Sequence, residues 1–279
     1  MEFKHLKYPV AIFSLVAASF ACKKSDTTPT AIPITQGLVT MATQKTTTDA
    51  LMDDAFGEIL LANTSANLTN QASGPSVACY TTTVTPADLT TFPKTVTIDY
   101  GSAGCTGLSG FVHKGKINYT ITDKFINAGA TITASFDNYT VNGYKVEGTY
   151  SIRNNGSTSG WNITDSLAAG KVTYPDGTTW YSKSGSRTWV QTQGQQTLSL
   201  LDDAYDVTGQ GTLTNSAGQS LTASSVNALH RTAVCANTVS GSLALTFDGI
   251  SGVLDFGSGV CDKTATLTIG TKTYTITLP

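Results

Sequence analysis

From residue 94 to the C-terminus the sequence alternates apolar and polar residues with a period of two, and turn-forming pairs break the run at short intervals. A period of two sends successive side chains to opposite faces of a strand, so this pattern constrains the fold more than any other feature. Strands are expected at Lys94–Tyr100, Lys116–Thr122, Ala130–Tyr139, Tyr144–Arg153, Lys171–Tyr174 and Thr178–Ser182. The series continues at Arg187–Gln191, Tyr205–Asn215, Leu221–His230, Ser242–Phe247, Thr264–Ile269 and Lys272–Leu278. Between them lie Asn142-Gly143, Asn155-Gly156, Pro175-Asp176-Gly177, Ala217-Gly218 and Gly270-Thr271. Connections this short make antiparallel hairpins, because parallel neighbours need long crossovers. About a dozen strands in one twisted sheet curl or split. The expected fold is all-β: an antiparallel meander curled into a barrel or a two-sheet sandwich.

Only 13% of the residues are charged, and Thr, Gly and Tyr are plentiful, which suits pleated, half-buried surface better than helix. One short helix is expected near 49–62. Asp49 would cap it, and Leu51, Ala55, Phe56, Ile59 and Leu60 would form its apolar stripe. Asp53, Asp54 and Glu58 then fall outside the stripe, and the helix plugs one end of the β domain. Residues 22–47 are polar and without sustained period, as a tether would be. Residues 48–279 are expected to form a single β domain.

The first 21 residues have the build of a secretory signal peptide: Lys4, His5 and Lys7, an uncharged apolar run from Val10 to Phe20, and small residues at its end. That run is shorter than the ~20 apolar residues a spanning helix needs. Ser19-Phe20-Ala21-Cys22 resembles the lipobox of bacterial lipoproteins, whose cysteine becomes the lipid-bearing first residue. With the following Lys23-Lys24-Ser25-Asp26, the start of the mature chain resembles Bacteroidota-type cell-envelope lipoproteins. The resemblance implies a membrane partner reached through lipid on Cys22, and an address at the outer membrane. It implies no particular activity.

Removing the leader moves the formal net charge from −2 to −3, and no basic patch of the kind nucleic-acid binding requires is left. Five cysteines are an odd number for an exported chain, and lipidation of Cys22 leaves four. Cys79 and Cys105 are 26 positions apart, as are Cys235 and Cys261. Asp99-Tyr100-Gly101-Ser102 and Asp255-Phe256-Gly257-Ser258 precede the second cysteine of each pair at equal offsets. A Tyr-Thr-Ile-Thr stretch follows each, at Tyr119–Thr122 and Tyr274–Thr277. The three coincidences read as an internal duplication, with modules around 79–122 and 235–277. Four cysteines permit three pairings, and bridges within each module close the shorter loops.

Signals for chemistry are sparse. The mature chain has two histidines, His113 and His230, and two glutamates, Glu58 and Glu147; it has no G-x-S-x-G elbow and no metal-binding cysteine motif. Asp202, Asp203 and Asp206 read as a solvated turn, and Asp99 and Asp255 as turn residues that bond the backbone beside a disulfide. No catalytic residue, metal or cofactor is expected. Trp161, Trp180, Tyr181 and Trp189 fall within thirty residues on strands that should be neighbours, and they are the candidate ligand surface, for a glycan or a protein. The expected function is binding or scaffolding in the cell envelope; the alternative is an anchored or secreted hydrolase, marked by His113 or His230 lying within reach of a Ser and an Asp.

Overall fold

The computed structural model describes residues 34–65, 80–88, 90–107, 109–156, 160–197 and 201–279. One helix, α1 (Ile34–Ser65), precedes fourteen strands. They are β1 (Thr81–Thr85), β2 (Lys94–Asp99), β3 (Cys105–Thr106), β4 (Val112–Ile121), β5 (Thr131–Val141), β6 (Tyr144–Asn154) and β7 (Asn162–Thr173). The rest are β8 (Trp180–Gln193), β9 (Ala204–Asn215), β10 (Ser220–Thr232), β11 (Ser240–Phe247), β12 (Ile250–Ser258), β13 (Thr264–Ile269) and β14 (Lys272–Thr277). All belong to one antiparallel sheet in sequence order, except that β3 pairs only with β4. The meander is as the alternation requires. It is not closed: β1 and β14 are its two edges.

A flat sheet of this many strands would be about 60 Å wide, at ~4.8 Å per strand, whereas a helix with its side chains is ~10 Å across. Yet α1 packs against strands from both halves. Leu51, Met52, Phe56 and Ile59 join a core with Val96 on β2, Tyr119 on β4, Tyr150 on β6 and Trp189 on β8. Leu38, Met41 and Ala42 join another with Leu245 on β11, Leu267 on β13 and Ile276 on β14. The sheet therefore curls around the helix. Bulges assist the curl, with register shifts in β4, β5, β6, β7 and β10. At the β4 bulge Gly115 has φ 79°, and a Cβ there would lie 2.3 Å from the Asn138 carbonyl oxygen, so glycine is required.

The helix departs furthest from expectation. It is 32 residues long and begins at Ile34, so most of the expected tether is its first half and Asp49 is an interior residue, not a cap. Leu38, Met41 and Ala42, at i, i+3 and i+4, bury there. Threonine hydroxyls that would otherwise compete with helix are occupied by it: Thr43 donates to the Val39 carbonyl at 3.1 Å and Thr47 to that of Thr43 at 3.2 Å. Asp53 and Glu58, expected on the outside, are 7% and 5% exposed. Among the described residues no helix is long and apolar enough to cross a membrane.

Cys235 and Cys261 are bonded to each other, spanning the β11–β12 hairpin whose ends meet at Ser240 and Ser258. Cys105 is disulfide-bonded too, while Cys79 lies outside the described residues, as do residues 1–21 and Cys22. Asp99 accepts from the Gly101 N–H at 2.9 Å and Asp255 from the Gly257 N–H at 2.7 Å, the turn bonds expected at both places. The third coincidence has no such counterpart. Tyr119 is on β4, which pairs with β2, whereas Tyr274 is on β14, and β13 separates it from β12.

Candidate functional site

The inner surface of the sheet carries charge where α1 crosses it. Asp49 and Asp53, one turn apart, face β8 and β10. Lys183 Nζ lies 2.6 Å from Asp49, Arg187 bonds Asp53, and Arg231 Nη1 reaches Asp53 at 2.8 Å. Arg187 also reaches Asp165 of β7 at 3.1 Å, and the Trp189 indole N–H donates to Asp165 at 2.6 Å. Burial alone would lift both helix carboxyls. The neighbouring cations outweigh it, and Asp49 and Asp53 are held below the usual carboxylate range.

The next two acids along the same helix have a different setting. Asp54 and Glu58, again one turn apart, meet His113 at the start of β4. The His113 Nε2 is 3.5 Å from Asp54 Oδ2, too far for a hydrogen bond. Its Nδ1 is 2.8 Å from the Tyr139 hydroxyl, and the Tyr100 hydroxyl donates to Glu58 Oε2 at 2.8 Å. Burial pushes Asp54 up to about 7, against a smaller opposing pull from the Ser109 hydroxyl. Burial also raises Glu58 and pulls His113 down to about 4. Asp54 Oδ2 and His113 Nε2 are buried without a hydrogen-bond partner.

Beside this half of α1 opens a cleft of ≈ 430 Å³. Its apolar walls include Phe56, Phe111, Trp189 and Tyr205, and its polar groups include Asp54, Glu58, Asp203 and Arg231. The Phe56 and Trp189 rings stack at 4.8 Å, so one indole face is taken by the helix. Leu201 and Val234, 54% and 79% exposed, stand at the rim.

The four aromatic residues expected to make one ligand surface are spread apart. Trp189 and Tyr181 point to the inner face and are buried, in different cores. Trp180 is on the outer face with the Lys171 ammonium 5.0 Å from its ring centroid. Trp161, half-buried, stacks on Phe125 at 5.5 Å. Trp180 and Trp189 are nine positions apart on β8, about 30 Å of strand. Only Trp189 lines the cleft. The aspartates of the β9 turn also diverge: Asp203 accepts from Gln191 and Tyr205, Asp202 from Thr197, and Asp206 meets His230 Nδ1 at 2.8 Å. Among the described residues no serine hydroxyl bonds either histidine; the partners are Tyr139 for His113 and Asp206 for His230.

The sequence held one signal for the acidic pair: two carboxylates at i and i+4 on a helix otherwise packed with Leu, Met, Phe and Ile. Their partner His113 comes from a strand more than fifty positions away, and nothing local announces it. Comparisons with protein-family models, with curated proteins and with solved structures return no match.

Proposed function

We propose that the protein is an exported cell-envelope protein, anchored by lipid on Cys22, and that it works by binding a small ligand in the cleft beside α1. The observation that carries the binding reading is the cleft itself: aromatic walls over a floor of buried carboxylates, with a rim of exposed apolar side chains. Concave sites with mostly apolar linings and a few convergent polar groups are where small ligands bind. Carboxylates at the floor accept hydrogen bonds, and ring faces suit the C–H face of a sugar, so an oligosaccharide is the ligand class the lining favours. The anchor rests on the basic start, the apolar run and the Ala21-Cys22 junction.

Two experiments test the two halves. Titration of the mature protein with a panel of oligosaccharides, followed by NMR, should shift resonances of Trp189, Tyr205 and Phe111. Val234→Arg, at an exposed rim position, should weaken that binding while leaving the melting temperature in place; binding indifferent to it would move the site elsewhere. Fatty-acid labelling in cells should tag the wild type and not Cys22→Ser, and label surviving that substitution would remove the anchor.

A further inference from the structure

The geometry points to a divalent-metal site at Asp54, Glu58 and His113, of the class that takes Zn²⁺ or a neighbouring first-row ion. One donor atom from each residue lies within 4.8 Å of the other two. His113 Nε2 and Asp54 Oδ2 are 3.5 Å apart. A tetrahedral ion with bonds of 2.0–2.1 Å sets its donors about 3.3 Å apart, so this pair is already at the spacing of two ligands and Glu58 has only to close on them.

Three observations independent of the acidic cluster support the assignment. Asp54 Oδ2 and His113 Nε2 are buried and unpartnered, the condition of ligand atoms and an expensive one for groups with no other role. His113 is fully buried, and the other ends of the ligands are held: Tyr139 fixes the imidazole through Nδ1 and Tyr100 holds Glu58 through Oε2. Such outer bonds orient metal ligands and set the ring nitrogen that faces the ion. Gly107 closes the third side, where a Cβ would sit 2.8 Å from His113 Nε2 and 2.9 Å from Glu58 Oε1. Any side chain there would fill the space between the two donors.

Charge balance separates this group from its neighbour. Asp49, Asp53 and Asp165 have Lys183, Arg187 and Arg231 as counterions. Among the described residues neither Asp54 nor Glu58 forms an ion pair with a Lys or Arg, and a dication is what two buried carboxylates would take. One imidazole with two carboxylates favours Zn²⁺ and its neighbours over Mg²⁺ or Ca²⁺, which take all-oxygen sets. Asp54 and Glu58 also line the cleft, so a fourth coordination position opens toward it. The site stands whether or not the cleft binds a saccharide.

The test uses the whole mature protein, stripped with a chelator and dialysed. Calorimetric titration with Zn²⁺ should show one site, and Co²⁺ should give the visible absorption of a tetrahedral ion without a thiolate charge-transfer band. Nitrogen NMR should show the His113 Nε2 signal moving on Zn²⁺ addition while that of His230 stays. Glu58→Gln and Asp54→Asn should each remove most of the affinity, and Tyr139→Phe should weaken it about 10–100-fold by freeing the imidazole. His230→Gln should leave it unchanged. If the variants fail to fold, the wild-type cobalt spectrum and the His113 shift decide alone. No binding by folded wild type, binding indifferent to both carboxamide variants, or binding lost in His230→Gln would overturn the assignment.

Discussion

Replacing Asp53 by Asn preserves its size and removes the single charge that Arg187 and Arg231 share. Its side chain is 4% exposed and meets Arg187 through Oδ1 and Arg231 through Oδ2, the latter at 2.8 Å. An amide offers one acceptor and turns two donors on the other guanidinium, so one contact survives at best. Breaking a buried pair from one side costs ~3–5 kcal/mol, because the remaining charge is stranded. Here the loss is softened: Arg187 keeps Asp165 at 3.1 Å, and Arg231 keeps the Ala236 carbonyl at 3.2 Å and the Thr238 hydroxyl at 3.3 Å. The expected cost is the low end, ~3 kcal/mol. In a domain of this size each kcal/mol moves Tm by ~2–4 °C, so the drop should be about 6–12 °C. Thermal unfolding by circular dichroism measures it, and a double-mutant cycle with Arg231→Met should return a coupling above ~0.5 kcal/mol. Because the pair is buried, added salt should change the drop little. A shift below ~2 °C, or zero coupling, would show that water screens this contact and that apolar packing alone holds the helix.

Cys235→Ser with Cys261→Ser opens a loop with sequence separation 26 and should cost ~3.5 kcal/mol on the chain-entropy scale, read by urea unfolding against the oxidised wild type. Trp189→Ala should cost ~3–5 kcal/mol, since the indole is buried against Phe56, whereas Trp180→Ala on the outer face should stay within ~1 kcal/mol; paired melting curves tell them apart. Asp49 is held below its ordinary pKa by Lys183 and Lys45, so its contribution is complete above about pH 4 and is lost as the pH falls toward its depressed folded value. Asp49→Asn should therefore flatten the acid limb of the stability curve while lowering stability at neutral pH, and an unchanged acid limb would mean the pair does not form.

The strands were legible because each one's pattern is local. Asn142-Gly143, both with positive φ at the β5–β6 turn, acts as its sequence requires. On β8 local pattern failed because of charge on the inner face. Ser182 to Arg187 reads as a polar break between two strands, yet β8 runs unbroken from Trp180 to Gln193. Lys183 and Arg187 belong to its inward set, and their side chains are largely covered, 12% and 18% exposed, because Asp49 and Asp53 are there to meet them. The same cause hid the acids of α1, which look like a solvated face when the helix is read alone. β12 lies outside the expected strands for a different reason: its apolar alternation is short, although Asp248-Gly249, with φ 49° and 76°, closes its hairpin with β11.

These pairings also explain how the acidic pair comes to lie under His113. A helix with Leu, Met, Ala, Phe and Ile on several sides packs acceptably in many rotations inside a curled apolar sheet, since dispersion and burial are not directional. Charges are. Asp49 finds Lys183, and Asp53 finds Arg187 and Arg231 at sequence separations of 134 and 178, so three contacts tie α1 to β8 and β10 together. A slide of one turn, ~5.4 Å, parts all three; one carboxylate then stands where the other did, so only part of the pairing returns and either Lys183 or the two guanidiniums lose their partner on α1. That penalty fixes the register of the helix. With Asp49 and Asp53 held, the positions one and five residues beyond Asp53 have no freedom left: Asp54 faces His113, and Glu58 faces Tyr100. The paired half of the helix thus positions the unpaired half, and Arg231→Met should disturb the His113 environment in NMR although Arg231 forms no bond to that residue.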